Sequence, residues 1–126
     1  QARTVTNVPL MVTGGFRTQR EATQAVSLGA ADLVGLARAV ALDPETPAKW
    51  LRPSGGDPRF PRFRSPPPGG ITAWFTMRLT ALANHETATF DPTLSQALDA
   101  YEARDAARTA TWLRAFGTGG GIDEVQ

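Results

Sequence analysis

The chain contains no cysteine among its 126 residues. Disulfides, iron–sulfur clusters and thiolate zinc sites are therefore excluded, and the composition suits a reducing compartment, so we expect a cytoplasmic protein. Histidine occurs once, at His85. This residue has no metal-ligand cluster or Ser-His-Asp arrangement around it in the sequence, and we expect it to lie at the surface where a helix ends.

A strong charge of one sign and a long apolar run are also missing. The net charge is +1, which gives no general reason to expect binding to nucleic acid or to an anionic membrane. No segment approaches the roughly 18–20 apolar residues that a membrane helix needs. The chain begins at Gln1 with no initiator methionine and no signal-peptide pattern, so we expect a piece of a longer polypeptide.

Two short apolar runs stand near the start of the chain, at Val8–Thr13 and Ala31–Leu36. Continuous runs of this length are typical of strands that are buried on both faces, as in parallel sheets. A helical pattern lies between them, within about thirty residues in all, which is the size of a βαβ unit. The sequence therefore predicts two parallel strands joined by a helix.

The helix between the strands carries its own start and stop signals. Thr18 and Glu21 have the spacing of a capping box, in which each side chain accepts from the other residue's backbone amide. Gly29 suits the position after the helix, which needs a positive φ. We therefore predict a helix from about Gln19 to Leu28.

The middle of the chain passes from short predicted helices to a segment rich in proline and glycine. Arg38 opens one predicted helical turn, and Asp43-Pro44 is predicted to start a short helix that runs to about Leu51. Residues 53–70 form a connecting segment too rich in proline and glycine for regular structure. Arginines alternate with two phenylalanines here, which allows an RNA-binding interpretation; packing of the rings on a neighbouring surface is favoured. These residues are Arg59, Phe60, Arg62, Phe63 and Arg64, and Arg52 stands immediately before the segment.

Helical spacing returns in residues 71–117. The first predicted helix spans Ile71 to about Asn84, and a second starts at Asp91-Pro92 and ends at Gly117. Each has an apolar stripe that we expect to be buried: Ile71, Trp74, Phe75, Leu79, Leu82 and Ala83 on the first, and Leu94, Leu98, Tyr101, Thr109, Trp112, Leu113 and Phe116 on the second. Residues 118–126 are predicted to be disordered.

The chemically suggestive residues follow the two strands. Gly14-Gly15 comes after the first strand and Ala37-Arg38 after the second, so a parallel pair would bring them to the same edge. Glycine lets backbone amides approach a ligand, and arginine offers a planar fork of donors to phosphate. We expect the helix start at Thr18 and the turn at Arg38 to present free N–H groups to the same anion. Phosphate sites recur at this place in (β/α)₈ barrels, after strands seven and eight.

The sequence PLMVTGGFRT…GAADLVGLARAVALDP, from Pro9 to Pro44, resembles the C-terminal strands of the old yellow enzyme family, the NADH:flavin oxidoreductases. GGITAWFTMRLTALA resembles the helix that follows the barrel in bacterial members. The resemblance implies an α/β fold: the last two βα units of a TIM (β/α)₈ barrel in residues 1–52, followed by a helical C-terminal extension. In that family a Gly-Gly or Gly-Asn pair and a Gly-Arg pair hold the FMN phosphate. Gly14, Gly15, Ala37 and Arg38 would then bind the cofactor, with Ala37 standing where the family usually has glycine.

The resemblance also implies what the parent polypeptide does. It would be an FMN-dependent ene-reductase, in which NAD(P)H reduces the flavin and a small molecule with an activated alkene receives the hydride. The family's substrate-binding pair, His/His or His/Asn, and its proton-donating tyrosine lie upstream, so no catalytic residue is expected in this chain. The remainder of the barrel would be its structural partner, and assembly into a homo-oligomer is left open.

Three alternatives remain at this point. Glycolate oxidase relatives and other FMN-binding barrels share a GG…GxxR pattern at the same place. A standalone helical interaction module without enzymatic activity would use the segment that contains Phe60 and Phe63 as its contact surface. A third possibility is a fragment that completes a barrel by associating with another chain.

Overall fold

The computed structural model describes residues 2–53 and 55–117, so the disorder predicted for residues 118–126 lies outside it. The chain divides into two compact units, Gln1–Phe63 and Arg64–Gln126. Within the described ranges, no helix combines the length and the apolar character that crossing a bilayer requires.

The first unit is built around a pair of parallel strands. Its elements, in chain order, are a 3₁₀ turn Ala2–Thr4, β1 Met11–Thr13, α1 Gln19–Ser27, β2 Leu33–Gly35, α2 Arg38–Leu42 and α3 Thr46–Trp50. Met11 lies opposite Leu33 and Thr13 opposite Gly35. The predicted strand–helix–strand order and the parallel pairing are confirmed, although each strand is shorter than the apolar run that predicted it.

Helix α1 begins and ends where its local signals predict. The Thr18 side chain accepts from the Glu21 amide while the Glu21 side chain accepts from the Thr18 amide, which completes the capping box. Gly29 has a φ of 68° and donates to the Val26 carbonyl at 2.9 Å. Both signals act over three residues, so the surrounding fold has little opportunity to override them.

Helix α3 begins later than the sequence predicts, so the assignment of Asp43-Pro44 as its first residues is wrong. The Asp43 carboxylate accepts from the Glu45 amide at 3.0 Å, and the Asp43 carbonyl accepts from the Thr46 hydroxyl at 2.6 Å. These bonds form a turn ahead of the helix. The Lys49 side chain also donates to the Asp43 carboxylate, which lowers the pKa of that carboxyl.

The second unit consists of α4, Gly70–Ala83, packed against α5, Leu94–Phe116. The residues most completely buried in the two helices are small, among them Ala73 and Ala81 on α4 and Ala97 on α5. Small side chains allow two helix axes to approach closely. The predicted stripe on α4 is therefore wrong in part, because Leu79 is 52% exposed while Ala73 is buried.

The stripe predicted on α5 is buried in its first half only. Leu94, Leu98 and Tyr101 are half-buried, whereas Trp112 and Phe116 are 60% and 68% exposed. Near the middle of α5, Arg104 donates to the Thr80 hydroxyl at 3.0 Å, close to the carboxyl end of α4. The exposed half of the stripe lies beyond this contact.

The loop between α4 and α5 begins with the residues that end α4. His85 adopts a φ of 60° just after α4, and its amide N–H donates to the Leu82 carbonyl. It therefore has the predicted surface role at the helix end.

The predicted start of α5 at Asp91-Pro92 is wrong. Thr93 is the N-cap, because its hydroxyl accepts from the Gln96 amide at 3.2 Å and the Gln96 side chain accepts from the Thr93 amide at 2.9 Å.

We expect Thr93→Ala to destabilise the α4–α5 unit by about 1 kcal/mol, the usual effect of losing a capping side chain. Urea unfolding followed by circular dichroism at 222 nm measures the change. Asp91→Ala is the matched control, since Asp91 would carry the loss if it capped the helix. Equal losses in the two variants, or a larger one for Asp91→Ala, would contradict the assignment of the cap to Thr93.

Candidate functional site

Gly14, Gly15 and Phe16 follow β1 and form an open loop, which we call the glycine loop. Because β1 and β2 are parallel, the segments that follow them leave the sheet at the same edge. Gly14 and Gly15 have φ values of 100° and 84°. A Cβ built at either residue meets nothing within 4 Å. Glycine is therefore required here by the backbone conformation, and the open space leaves the backbone accessible to a ligand.

The second strand leads directly into a short helix. Ala37 is the N-cap of α2 and Arg38 is its first residue, and no side chain caps this helix start. The φ of Ala37 is −113°, which lies outside the positive region that favours glycine. The backbone therefore does not require glycine at this position. Ala39 and Ala41 are buried, while Arg38 is exposed at the helix start.

The start of α1 is not free, and this prediction is wrong. Glu21 accepts from the amides of Arg17 and Thr18 at 2.8 and 3.0 Å. The Asp57 carboxylate accepts from the Gln19 amide at 2.7 Å. Two carboxylates thus occupy the place that we expected an anion to use. Any phosphate at this edge would have to take its donors from the glycine loop and the start of α2 instead.

Besides Asp43, two further carboxylates of the first unit, Glu21 and Asp32, are stabilised in their charged form. The backbone hydrogen bonds from Arg17 and Thr18 lower the pKa of Glu21. Asp32 accepts from the Leu10 amide at 2.7 Å and from the Arg3 side chain at 2.5 Å, and both contacts lower the pKa of this carboxyl.

Acid should destabilise the first unit through these groups. A carboxyl whose pKa is lower in the folded state stabilises the fold above its ordinary pKa of about 4. This contribution is lost as the pH falls through the lower value in the folded protein. We expect the urea midpoint to fall between pH 6 and pH 3, and to fall less in Asp32→Asn. Asp99→Asn is the control, because no contact of the Asp99 carboxylate is seen among the described residues. An unchanged pH dependence in Asp32→Asn would contradict the role of Asp32.

One residue of the site was missed at the sequence level. A Cβ at Gly35 would collide with the Thr13 hydroxyl and would lie 3.0 Å from the Thr13 Cβ. Gly35 therefore permits the close approach of the last residue of β2 to Thr13, the last residue of β1. A glycine inside an apolar run is a signal of close backbone approach, but the sequence does not say which residue lies opposite.

The residues at the strand ends offer hydrogen-bond donors. Within residues 2–53 and 55–117, no group of three or more histidine, aspartate or glutamate side chains is placed to hold a metal ion. The donor set at the strand ends consists of loop amides, a helix start without a capping side chain and one guanidinium. Anionic oxygens accept hydrogen bonds from donors of this kind in proteins.

The chain is similar to a flavin oxidoreductase. The particular relative is the NADH-dependent flavin oxidoreductase iccE of Talaromyces variabilis, with 36% identity over 93 residues. The match covers 60% of this chain and 22% of the relative, so the chain spans less than a quarter of that protein. No family model and no solved structure matches the chain.

Proposed function

We propose that this chain is the cofactor-anchoring end of an FMN-dependent NAD(P)H oxidoreductase of the old yellow enzyme type. The two strands and their helices would be the last two βα units of its (β/α)₈ barrel, and α4 and α5 a helical extension. The observation that carries the proposal is the pairing of the strands, which places Gly14-Gly15 and Ala37-Arg38 after the same edge of one sheet. The similarity to an NADH-dependent flavin oxidoreductase supports it independently.

The exposed strands favour a barrel over a free-standing module. Met11 and Leu33 are 65% and 54% exposed, although strands of this apolar character are typical of sheets covered on both faces. Two strands alone do not make a stable sheet. Further strands on both sides, with helices over the outer face, would bury these side chains. The remainder of the barrel is thus the structural partner that we propose for this unit.

Each site residue has a distinct role in this proposal. Gly14 and Gly15 would bring backbone amides close to the FMN phosphate, and Arg38 would neutralise its charge through a forked hydrogen bond. The amide of Ala37 would add a donor, since its φ accommodates a Cβ. Bound flavin would accept hydride from the nicotinamide and pass it to an activated alkene. The residues that bind and protonate that substrate would lie outside this chain.

The full-length protein tests the proposal directly. We expect the purified protein to be yellow, to release FMN on heat denaturation, and to be bleached by NADH or NADPH without oxygen. The 126-residue chain alone should bind no flavin tightly, because it would hold only one end of the cofactor. A colourless full-length protein that takes up no added FMN would contradict the proposal, as would tight flavin binding by the isolated chain.

A further inference from the structure

A segment after α3 is attached to the start of α1. We call residues 55–60 the strap. The strap is fixed to the start of α1 at two points: Asp57 accepts from the Gln19 amide at 2.7 Å, and the Phe60 ring lies 5.3 Å from the Arg17 guanidinium carbon. Gly55 begins the strap in close contact with the backbone of α3, with no room for a Cβ against Lys49.

Gln19 joins the same two regions through its side chain. Its amide nitrogen donates to the Trp50 carbonyl at 2.6 Å and to the Arg52 carbonyl at 3.0 Å. The Arg52 carbonyl also accepts from the amide of Gly55, the first residue of the strap, at 3.3 Å. Gln19 thus holds the end of α3 with its side chain and the strap with its backbone.

These contacts lie immediately after the glycine loop in the chain. Arg17 directly follows the glycine loop, and Gln19 lies two residues further along. The Arg17 guanidinium lies over the Phe60 ring, and Gln19 donates to Asp57 and Trp50, all more than thirty positions away. Gly14 and Gly15 have positive φ values, and a Cβ built at either residue would meet nothing within 4 Å. The two ends of the glycine loop are held by β1 on one side and, on the other, by the start of α1 with its strap contacts.

We propose that Gln19 is a positioning residue, which uses the strap and the end of α3 to hold the glycine loop in the conformation that binds phosphate. This inference rests on the proposed function for the ligand, and it adds how the site is kept in order. Gln19 touches no phosphate in this scheme. Its effect is to reduce the conformational freedom that the loop would otherwise lose when the anion binds.

The first test measures strap docking without any ligand. Trypsin can cleave after Arg59 within the strap, whereas Arg52 precedes a proline and is resistant. We expect Gln19→Ala to increase cleavage after Arg59 about tenfold in the full-length protein, because two hydrogen bonds are lost. Gln19→Glu should behave in the same way, since it keeps the shape but removes the donors. Gln24→Ala, an exposed glutamine on the same helix, is the control and should cleave at the wild-type rate.

The second test measures the consequence at the site with FMN and riboflavin as probes. These two flavins differ by the phosphate alone. We expect Gln19→Ala to weaken FMN binding about tenfold and riboflavin binding much less, whereas general damage to the fold would weaken both equally. Gln19→Asn, which keeps the donors on a shorter side chain, should recover part of the discrimination between the two flavins.

The outcomes separate this inference from the proposed function. Faster cleavage with unchanged FMN binding would overturn the link between strap and loop, while FMN binding itself would stand. Unchanged cleavage in Gln19→Ala would show that the side-chain bonds to the carbonyls of Trp50 and Arg52 do not contribute to holding the strap, and would also overturn the inference. Absence of FMN binding by the unaltered protein would instead contradict the proposed function.

Discussion

Replacing Arg38 with alanine in the full-length protein should weaken FMN binding about thirtyfold and leave riboflavin binding unchanged. The reason is that a charge-assisted hydrogen bond to phosphate contributes about 2 kcal/mol, and riboflavin has no phosphate to lose. Fluorescence quenching of each flavin on binding measures both dissociation constants. Because Arg38 is exposed at the start of α2, its removal should leave the urea midpoint of the protein close to that of the wild type.

Two further variants make the Arg38 result specific. Arg38→Lys keeps the charge but loses the planar fork, so we expect an intermediate affinity for FMN. Arg62→Ala removes an exposed arginine from the connecting segment and should bind FMN as the wild type does. Equal losses in Arg38→Ala and Arg62→Ala would indicate a general effect of positive charge. An unchanged FMN affinity in Arg38→Ala would refute the assignment of phosphate binding to this residue.

Replacing Gly35 with alanine should be among the most destabilising single changes in the first unit, at about 3 kcal/mol. The added Cβ would collide with the Thr13 side chain across the two strands. Pairing of β1 with β2 would then be lost or displaced at the end of the sheet where the glycine loop begins. Urea unfolding of the full-length protein measures the loss, and weaker FMN binding should accompany it.

Two comparisons identify the cause of the Gly35 effect. Thr13→Ala in the same chain removes two of the three colliding atoms and should restore part of the stability. Gly29→Ala tests backbone strain without a collision, because Gly29 has a positive φ and open space around it. We expect Gly29→Ala to cost about 1 kcal/mol. A Gly35→Ala protein as stable as Gly29→Ala, and insensitive to Thr13→Ala, would contradict the collision.

The parts of the fold that the sequence predicts correctly depend on neighbours in the chain. The capping pair of Thr18 and Glu21 and the terminal Gly29 act over three residues, so their geometry follows from spacing alone. The two apolar runs predict the strands for a similar reason. Where two local signals compete, spacing does not rank them. Asp91-Pro92 and the capping pair that begins at Thr93 are both valid helix starts, and the structure uses the second.

The candidate site was also predictable from the sequence only in part. Gly14, Gly15, Ala37 and Arg38 are recognisable because each directly follows a predicted strand, and strands of one βαβ unit end at the same edge. The occupied start of α1 was not predictable, because Asp57 is 38 residues from the amide that it caps. An acidic residue in a segment of irregular structure carries no signal of which distant N–H it will meet.

By itself, the sequence determined the order of the elements, the ends of α1 and the identity of the loops that follow the strands, because these depend on contacts within a few residues. Only the tertiary structure decided which donors remain open to an anion, why Gly35 must be glycine, and that small residues such as Ala73 and Ala97 form the buried parts of the helix pair. The capping of α1 by Asp57 and the last two outcomes depend on segments that are distant in sequence and meet in space. Their meeting is set by packing and hydrogen bonding across the folded unit, which no local pattern contains.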